Sequence, residues 1–219
     1  MPRLLFEKKG SAVWISHLDL MRLFQRAFKR TELPLTHTQG FNPRPSVSIA
    51  LPLSVGVESS CELLDFDLYG DPVANEDICA RLNEALVEGV RVREVYDTGR
   101  KIRDIALLQC VVTLEYDAGV PGGAVERLKA FFASESILVP KRTKNGIQEQ
   151  DIIPMIRRMD LHQSDENTVE IEALVCCQNP ALNPMQLVAA IELHCPELKA
   201  DFASCRRIEI FDQQEMIFR

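Results

Sequence analysis

Hydrophobic spacing along this 219-residue chain passes twice through the same series of periods, and few folds accommodate that repetition. The first half reads as strand 3–9, helix 17–30, strand 46–51, strand 62–68, helix 75–88 and strand 92–96. Period-two alternation carries the middle strand pair: Val47, Ile49 and Leu51 share one face, and Leu64, Phe66 and Leu68 alternate with Asp65 and Asp67. In the second helix Ile78, Leu82, Ala85 and Leu86 repeat helically, with Asn75 placed as its cap. After the basic segment DTGRKIRD the order returns: strand 105–116, helix 123–134, strand 151–161, strand 168–176, helix 184–194 and strand 206–211. In VEIEALV, Val169, Ile171, Ala173 and Val175 face one way, against Glu170 and Glu172. The order β-α-β-β-α-β is the ferredoxin-like one, so the expected fold is α+β with two tandem ferredoxin-like units, residues 1–99 and 104–219. The segment 139–151 interrupts the second unit as a hairpin or loop, with Asn145-Gly146 as a turn signal and Lys141, Arg142 and Lys144 as a small basic patch.

The first helix carries the densest functional signal. Ser16 is placed to cap it, with Asp19 in the first turn where a carboxylate complements the positive helix end. Leu20, Leu23, Phe24, Ala27 and Phe28 fall at the spacing that buries one face. Arg22, Arg26, Lys29 and Arg30 follow the same period on another face, which makes them candidates for holding an anion or RNA. Pro34 is expected to stop the helix. The turn TQGFNPRPS then combines Gly40, which tolerates φ > 0, with Pro43 and Pro45, which fix their own φ and push the preceding residue toward extended backbone. A stiff loop carrying Gln39, Phe41, Asn42 and Arg44 beside a basic helix is suited to anionic or planar ligands; Gln39, Asn42 and Arg44 complete the candidate binding set.

Those same residues carry a family resemblance. The run from Trp14 onward, WISHLDLMRLFQRAFKR followed by LPLTHTQGFNPRPSVSIALPLSVGVES, resembles the N-terminal half of the radical SAM-associated domain family of uncharacterised function. The match is dense over the N-terminal third of the chain and loose afterwards. Members occur alone or as the C-terminal extension of a radical S-adenosylmethionine (SAM) protein, often near genes for an RNase of the E/G type and for ribosomal proteins. The resemblance therefore implies a radical SAM protein as partner and RNA or the ribosome as context. Where the family often has a histidine between the two prolines this chain has Arg44, and where a lysine is common it has Ser46. The turn keeps a cation and lacks that imidazole.

Charge and motifs narrow the chemistry further. The net charge of −7 argues against nonspecific coating of nucleic acid, yet residues 1–50 hold eight Lys/Arg against three acids, net +5, leaving −12 for the remainder. Seven cysteines are an odd number and form no CxxC, so neither a disulfide framework nor a zinc ribbon is expected. A radical SAM enzyme holds its iron–sulfur cluster on three closely spaced thiolates, typically CxxxCxxC, and this chain has no such triplet; no cofactor and no metal are expected. GxxxxGK[ST], GxGxxG, GxSxG and HExxH are all missing. No apolar run is long enough for a membrane span and MPRLLFEKKG lacks a signal-peptide core, so a cytoplasmic protein without membrane contact is expected. His17 is the weak catalytic candidate, two residues from Asp19 and so diverging from it on a helix.

Three functions fit: a non-catalytic substrate-binding accessory of a radical SAM enzyme acting on RNA or the ribosome, a protein-interaction module docking through its acidic second half, and a metal-independent RNA-processing enzyme using His17.

Overall fold

The computed structural model describes residues 2–143 and 146–219, so Lys144 and Asn145 of the basic patch and turn lie outside the described residues. The chain is a mixed α/β protein with four α-helices among the described residues and antiparallel strand pairing. It divides into two compact units, one running to Asp104 and joined by Arg219, the other Ile105–Phe218.

In the first unit β1 (Pro2–Lys8), α1 (His17–Arg30), β2 (Val47–Ile49), β3 (Glu58–Phe66), α2 (Asn75–Ala85) and β4 (Val90–Asp97) follow one another. The strands lie in the order β4-β1-β3-β2, every neighbour antiparallel. Leu4 and Phe6 of β1 and Leu64 and Phe66 of β3 point into a core that α1 closes with Leu20, Phe24, Ala27 and Phe28. Phe24 meets Phe6 edge-on at 4.7 Å between ring centroids, and Phe28 meets Phe66 at 5.1 Å. Leu23 is half-buried at the margin of this core rather than inside it, because it sits at the edge of the apolar stripe.

Asp65 is not on a solvated face. It is 7% exposed and directly opposite Arg3, itself 1% exposed, in the β1–β3 register. Arg3 Nε donates to Asp65 Oδ1 at 2.5 Å and Nη2 to Oδ2 at 3.1 Å, with a further bond from Nη2 to the Arg100 carbonyl at 2.9 Å. On the other side of Arg3, in the β1–β4 register, stands Tyr96. Burial pushes the Tyr96 phenol up to about 12, with Arg3 and Arg219 pulling the other way. A raised folded-state value favours the neutral phenol, so this contribution to stability is whole below the ordinary value near 10 and is lost as pH rises through about 12. Alkaline titration followed by phenolate absorbance is expected to show a late step near 12 that Tyr96→Phe removes; a wild-type curve without that step would place the ring in water.

Two expectations about α2 change. Asn75 is its first helical residue, not its cap; the N-cap Ala74 makes no side-chain cap bond, and Glu76 and Asp77 supply acidity in the first turn. The helix ends at Ala85, because the chain must turn at Gly89, whose φ is +84° and where a Cβ would fall 2.3 Å from the Lys9 carbonyl oxygen.

The second unit repeats the sequence of elements: β5 (Ile105–Glu115), α3 (Ala124–Phe132), a hairpin of β6 (Leu138–Thr143) and β7 (Gly146–Asp151), β8 (Ile156–Gln163), β9 (Thr168–Cys176), α4 (Met185–His194) and β10 (Phe202–Asp212). Its main strands run β10-β5-β9-β8, again antiparallel. Val169, Ile171, Ala173 and Val175 are buried as their alternation requires. β8 begins at Ile156 rather than at 151 because a 3-10 turn at Ile153–Met155, with Pro154 lacking a donor, comes first. Among the described residues all seven cysteines are free thiols. Burial pushes the Cys177 thiol up to about 12, and Cys110 is raised by its hydrogen bond with Cys205 and by burial, so neither is a ready nucleophile. No helix of the described residues is long and apolar enough to cross a membrane.

Candidate nucleic-acid interface

The N-terminus of α1 forms as its sequence requires. Ser16 caps it, accepting from the Asp19 amide at 3.2 Å, while Ser16 Oγ donates to Asp19 Oδ2 at 2.8 Å and Arg22 Nη1 reaches Oδ1 at 2.8 Å. The bonds from Ser16 and Arg22 hold the Asp19 carboxyl below its ordinary value. At the other end the helix closes in a Schellman turn: Leu33 N donates to the Phe28 carbonyl at 3.0 Å and Glu32 N to that of Lys29 at 3.4 Å. Glu32 occupies the left-handed position of this turn, φ +56°, where glycine is usual. Pro34 follows two residues after the reversal rather than causing it.

From Pro34 the chain runs out as an arm. Tyr69 N donates to the Pro34 carbonyl at 3.0 Å and Thr36 N to that of Asp67 at 2.8 Å, while Thr36 Oγ1 donates to Asp67 Oδ2 at 3.1 Å. On its returning side Ser46 N bonds the Thr36 carbonyl at 2.8 Å, His37 bridges Pro45, and Thr38 N bonds the Arg44 carbonyl at 2.8 Å. Arg44 N closes the tip on Thr38 Oγ1 at 3.0 Å. Beyond that rung Gln39, Gly40, Phe41 and Asn42 are exposed, Gly40 having φ +136° and Phe41 wholly uncovered. An uncovered phenylalanine at the apex of a hydrogen-bonded arm has no role in the core.

The four cations of α1 are not equivalent. Arg22 is committed to Asp19, and Arg30 donates to the Ala85 carbonyl at the end of α2. Arg26 and Lys29 have no ion pair or hydrogen bond with any described residue, and neither has the Arg44 side chain. Lys29 and the arm meet across a cavity of about 440 Å³. Its floor is apolar, from Phe28, Leu33, Pro34, Leu35 and Pro45; Gln25, Lys29, Glu32, His37 and Tyr69 make its rim. Arg26, Gln39, Asn42 and Arg44 do not line it. His17, half-buried at the first helical position, lies twelve residues and roughly 18 Å of helix from Lys29, far from this cavity.

Of the acids that follow Arg44 in sequence, Glu58 accepts from the Gly10 amide at 3.1 Å and Asp65 holds Arg3. Gln25, Glu32, His37 and Tyr69 stand outside the set that periodicity and turn chemistry select. Of the second basic patch, Lys141 Nζ donates to the Ala181 carbonyl at 3.4 Å and Arg142 is exposed. Among the described residues no group of three His, Cys, Asp or Glu gathers as a metal would require.

The fold and this surface define an antiparallel α/β protein with a cationic helix face and an aromatic-tipped arm. Residues 2–184 match the model of a bacterial family described as "uncharacterized protein conserved in bacteria" (DUF2344), and the chain belongs to that family. No protein of curated function matches it. Among solved structures, a chain of a Cbf5–Nop10–Gar1 complex superposes with a TM-score of 0.54 at 10% identity, over 95% of this chain and 48% of that one. The Nop10–Cbf5 complex of an archaeal box H/ACA sRNP gives 0.45 at 10% identity, over 94% and 46%. This chain thus spans about half the length of these two solved chains. At such identity the first likeness concerns the fold alone.

Proposed function

We propose that this protein is a non-catalytic RNA-binding accessory of a radical SAM enzyme, built from two ferredoxin-like units, with α1 and the 34–46 arm as its RNA-contacting surface. The unit assignment is supported by the strand orders β4-β1-β3-β2 and β10-β5-β9-β8 around the repeated element sequence. The function rests on one observation: Arg26, Lys29 and Arg44 are cations that no described residue pairs or hydrogen-bonds through the side chain, and Phe41 and Tyr69 are exposed rings in the same arm-and-helix region. Uncommitted cations neutralise phosphates, and exposed rings stack bases, the combination that single-stranded RNA requires. Arg22 and Arg30, already bonded within the protein, contribute less. Gln39 and Asn42 supply polar groups for recognition that point charges lack. The radical SAM partner follows from the family resemblance, and co-elution of the two purified proteins with RNA tests it; separate elution would remove it.

Charge reversal tests the RNA surface. Arg26→Glu with Lys29→Glu is expected to weaken binding of single-stranded RNA and to flatten its salt dependence by about 0.7 in log-log slope for each phosphate that is no longer neutralised. Melting should fall by no more than about 1–2 kcal/mol, the cost of placing an acid at Lys29 in the last turn of α1, since neither side chain has an ion pair or hydrogen bond to lose. An unchanged affinity and slope, or no binding by the wild type at low salt, defeats the reading. The protein-docking alternative, through the acidic second half, then replaces it.

A further inference from the structure

The cavity between the last turn of α1 and the arm is better furnished than phosphate binding needs. At about 440 Å³ it falls within the roughly 300–1,000 Å³ of small-ligand sites. Its floor is apolar, while Pro34 and Pro45 on one hand and Tyr69, 62% exposed, on the other bring flat surfaces to it. Its rim holds one cation, Lys29, and one acceptor-only group, the Glu32 carboxylate, with Gln25 and His37 between the two kinds. Glu32 reaches the rim from the left-handed residue of the Schellman turn, a position where glycine would be easier. Strain at a non-glycine residue points to a side chain kept for use.

We propose that this cavity is a base-specific nucleotide site that takes a guanine nucleotide. The base lies on the apolar floor beside the Tyr69 ring, Glu32 accepts from guanine N1–H and N2–H together, and Lys29 holds the phosphate. Guanine is the base whose edge offers a carboxylate two adjacent donors; adenine and cytosine offer one amino group, and uracil a single N–H between two carbonyls that repel the carboxylate. The proposal rests on the RNA reading for its physiological ligand, and the same chemistry is met by a free guanine nucleotide or by one guanine within a strand.

Calorimetric titration of the full chain with GMP, AMP, CMP and UMP, alongside an oligouridine with and without one central guanine, separates these cases. GMP is expected to bind on the order of ten- to a hundredfold more tightly than the other three, and the guanine-containing strand more tightly than oligouridine. Glu32→Gln should erase that preference while leaving AMP affinity unchanged, and Glu32→Gly should do so with a melting temperature no lower than wild type. GMP binding without RNA binding keeps the site and assigns it to a free nucleotide, while ending the RNA reading. RNA binding with no preference for guanine and no GMP binding overturns the site and leaves the RNA reading standing. A guanine preference that survives both Glu32 variants overturns the assigned role of the carboxylate.

Discussion

Asp65→Ala is expected to cost about 3–5 kcal/mol, a large share of the roughly 5–15 kcal/mol that holds an ordinary domain together. The carboxylate is bidentate on Arg3 inside the sheet, and both residues are almost entirely buried. Truncation takes the bidentate carboxylate away from a guanidinium in low dielectric, and the Arg100 carbonyl, an uncharged acceptor, does not match its charge. The desolvation cost of the remaining charge, rather than the missing attraction alone, makes the loss large. Urea unfolding should show a lower midpoint at unchanged slope. Replacing both partners, Arg3→Met with Asp65→Leu, should recover most of the loss, because two apolar side chains of similar size need no pairing. A loss under about 1 kcal/mol for Asp65→Ala would mean that water reaches the pair.

That ion pair also marks a boundary of what is legible in the sequence. Alternation of Leu64 and Phe66 with Asp65 correctly identifies the core face of β3, but it treats the other face as wet. Its dryness depends on the register that sets Asp65 opposite Arg3, a pairing across 62 positions of chain that no local period encodes. Where the signal is local the reading is close. α1 runs His17–Arg30 as its cap and apolar stripe require, and β9 runs Thr168–Cys176 because the alternation from Thr168 to Ala173 continues into the apolar residues Leu174 to Cys176. Periodicity starts β8 several residues early, since the apolar residues around Pro154 resemble a strand, and only the missing amide shows why they make a 3-10 turn.

At the candidate site the legible part is chemical and the rest is geometric. Periodicity places Arg22, Arg26, Lys29 and Arg30 on one helix face, but it does not distinguish the two that the fold uses from the two it leaves open. Gln39, Asn42 and Arg44 are readable as members of a proline-stiffened turn. The cavity behind that turn is not, because it arises where Tyr69 and the Pro34 carbonyl bring distant segments together. Glu32 looks like an ordinary helix-end acid in the sequence; only its backbone angle sets it apart.

Phe24→Ala should cost roughly 3–5 kcal/mol, while Arg26→Ala, two residues on, should change stability by less than about 0.5 kcal/mol. Phe24 is fully buried, packs edge-on against Phe6, and lies in the cluster that joins α1 to β1 and β3. Removing its ring takes away the transfer free energy of the whole side chain and leaves a cavity between a helix and a sheet that cannot close fully. Arg26 lies on the opposite side of the same helix with no ion pair or hydrogen bond to a described residue, so its removal subtracts no bond and little packing. Thermal melting of the two variants, read beside their RNA affinities, separates the helix's two duties. Phe24→Ala should lower stability sharply, and Arg26→Ala should lower affinity for RNA while the melting curve stays in place. Equal losses of stability would mean that the cationic face of α1 is packed against something, and that surface would then lose its claim to be open.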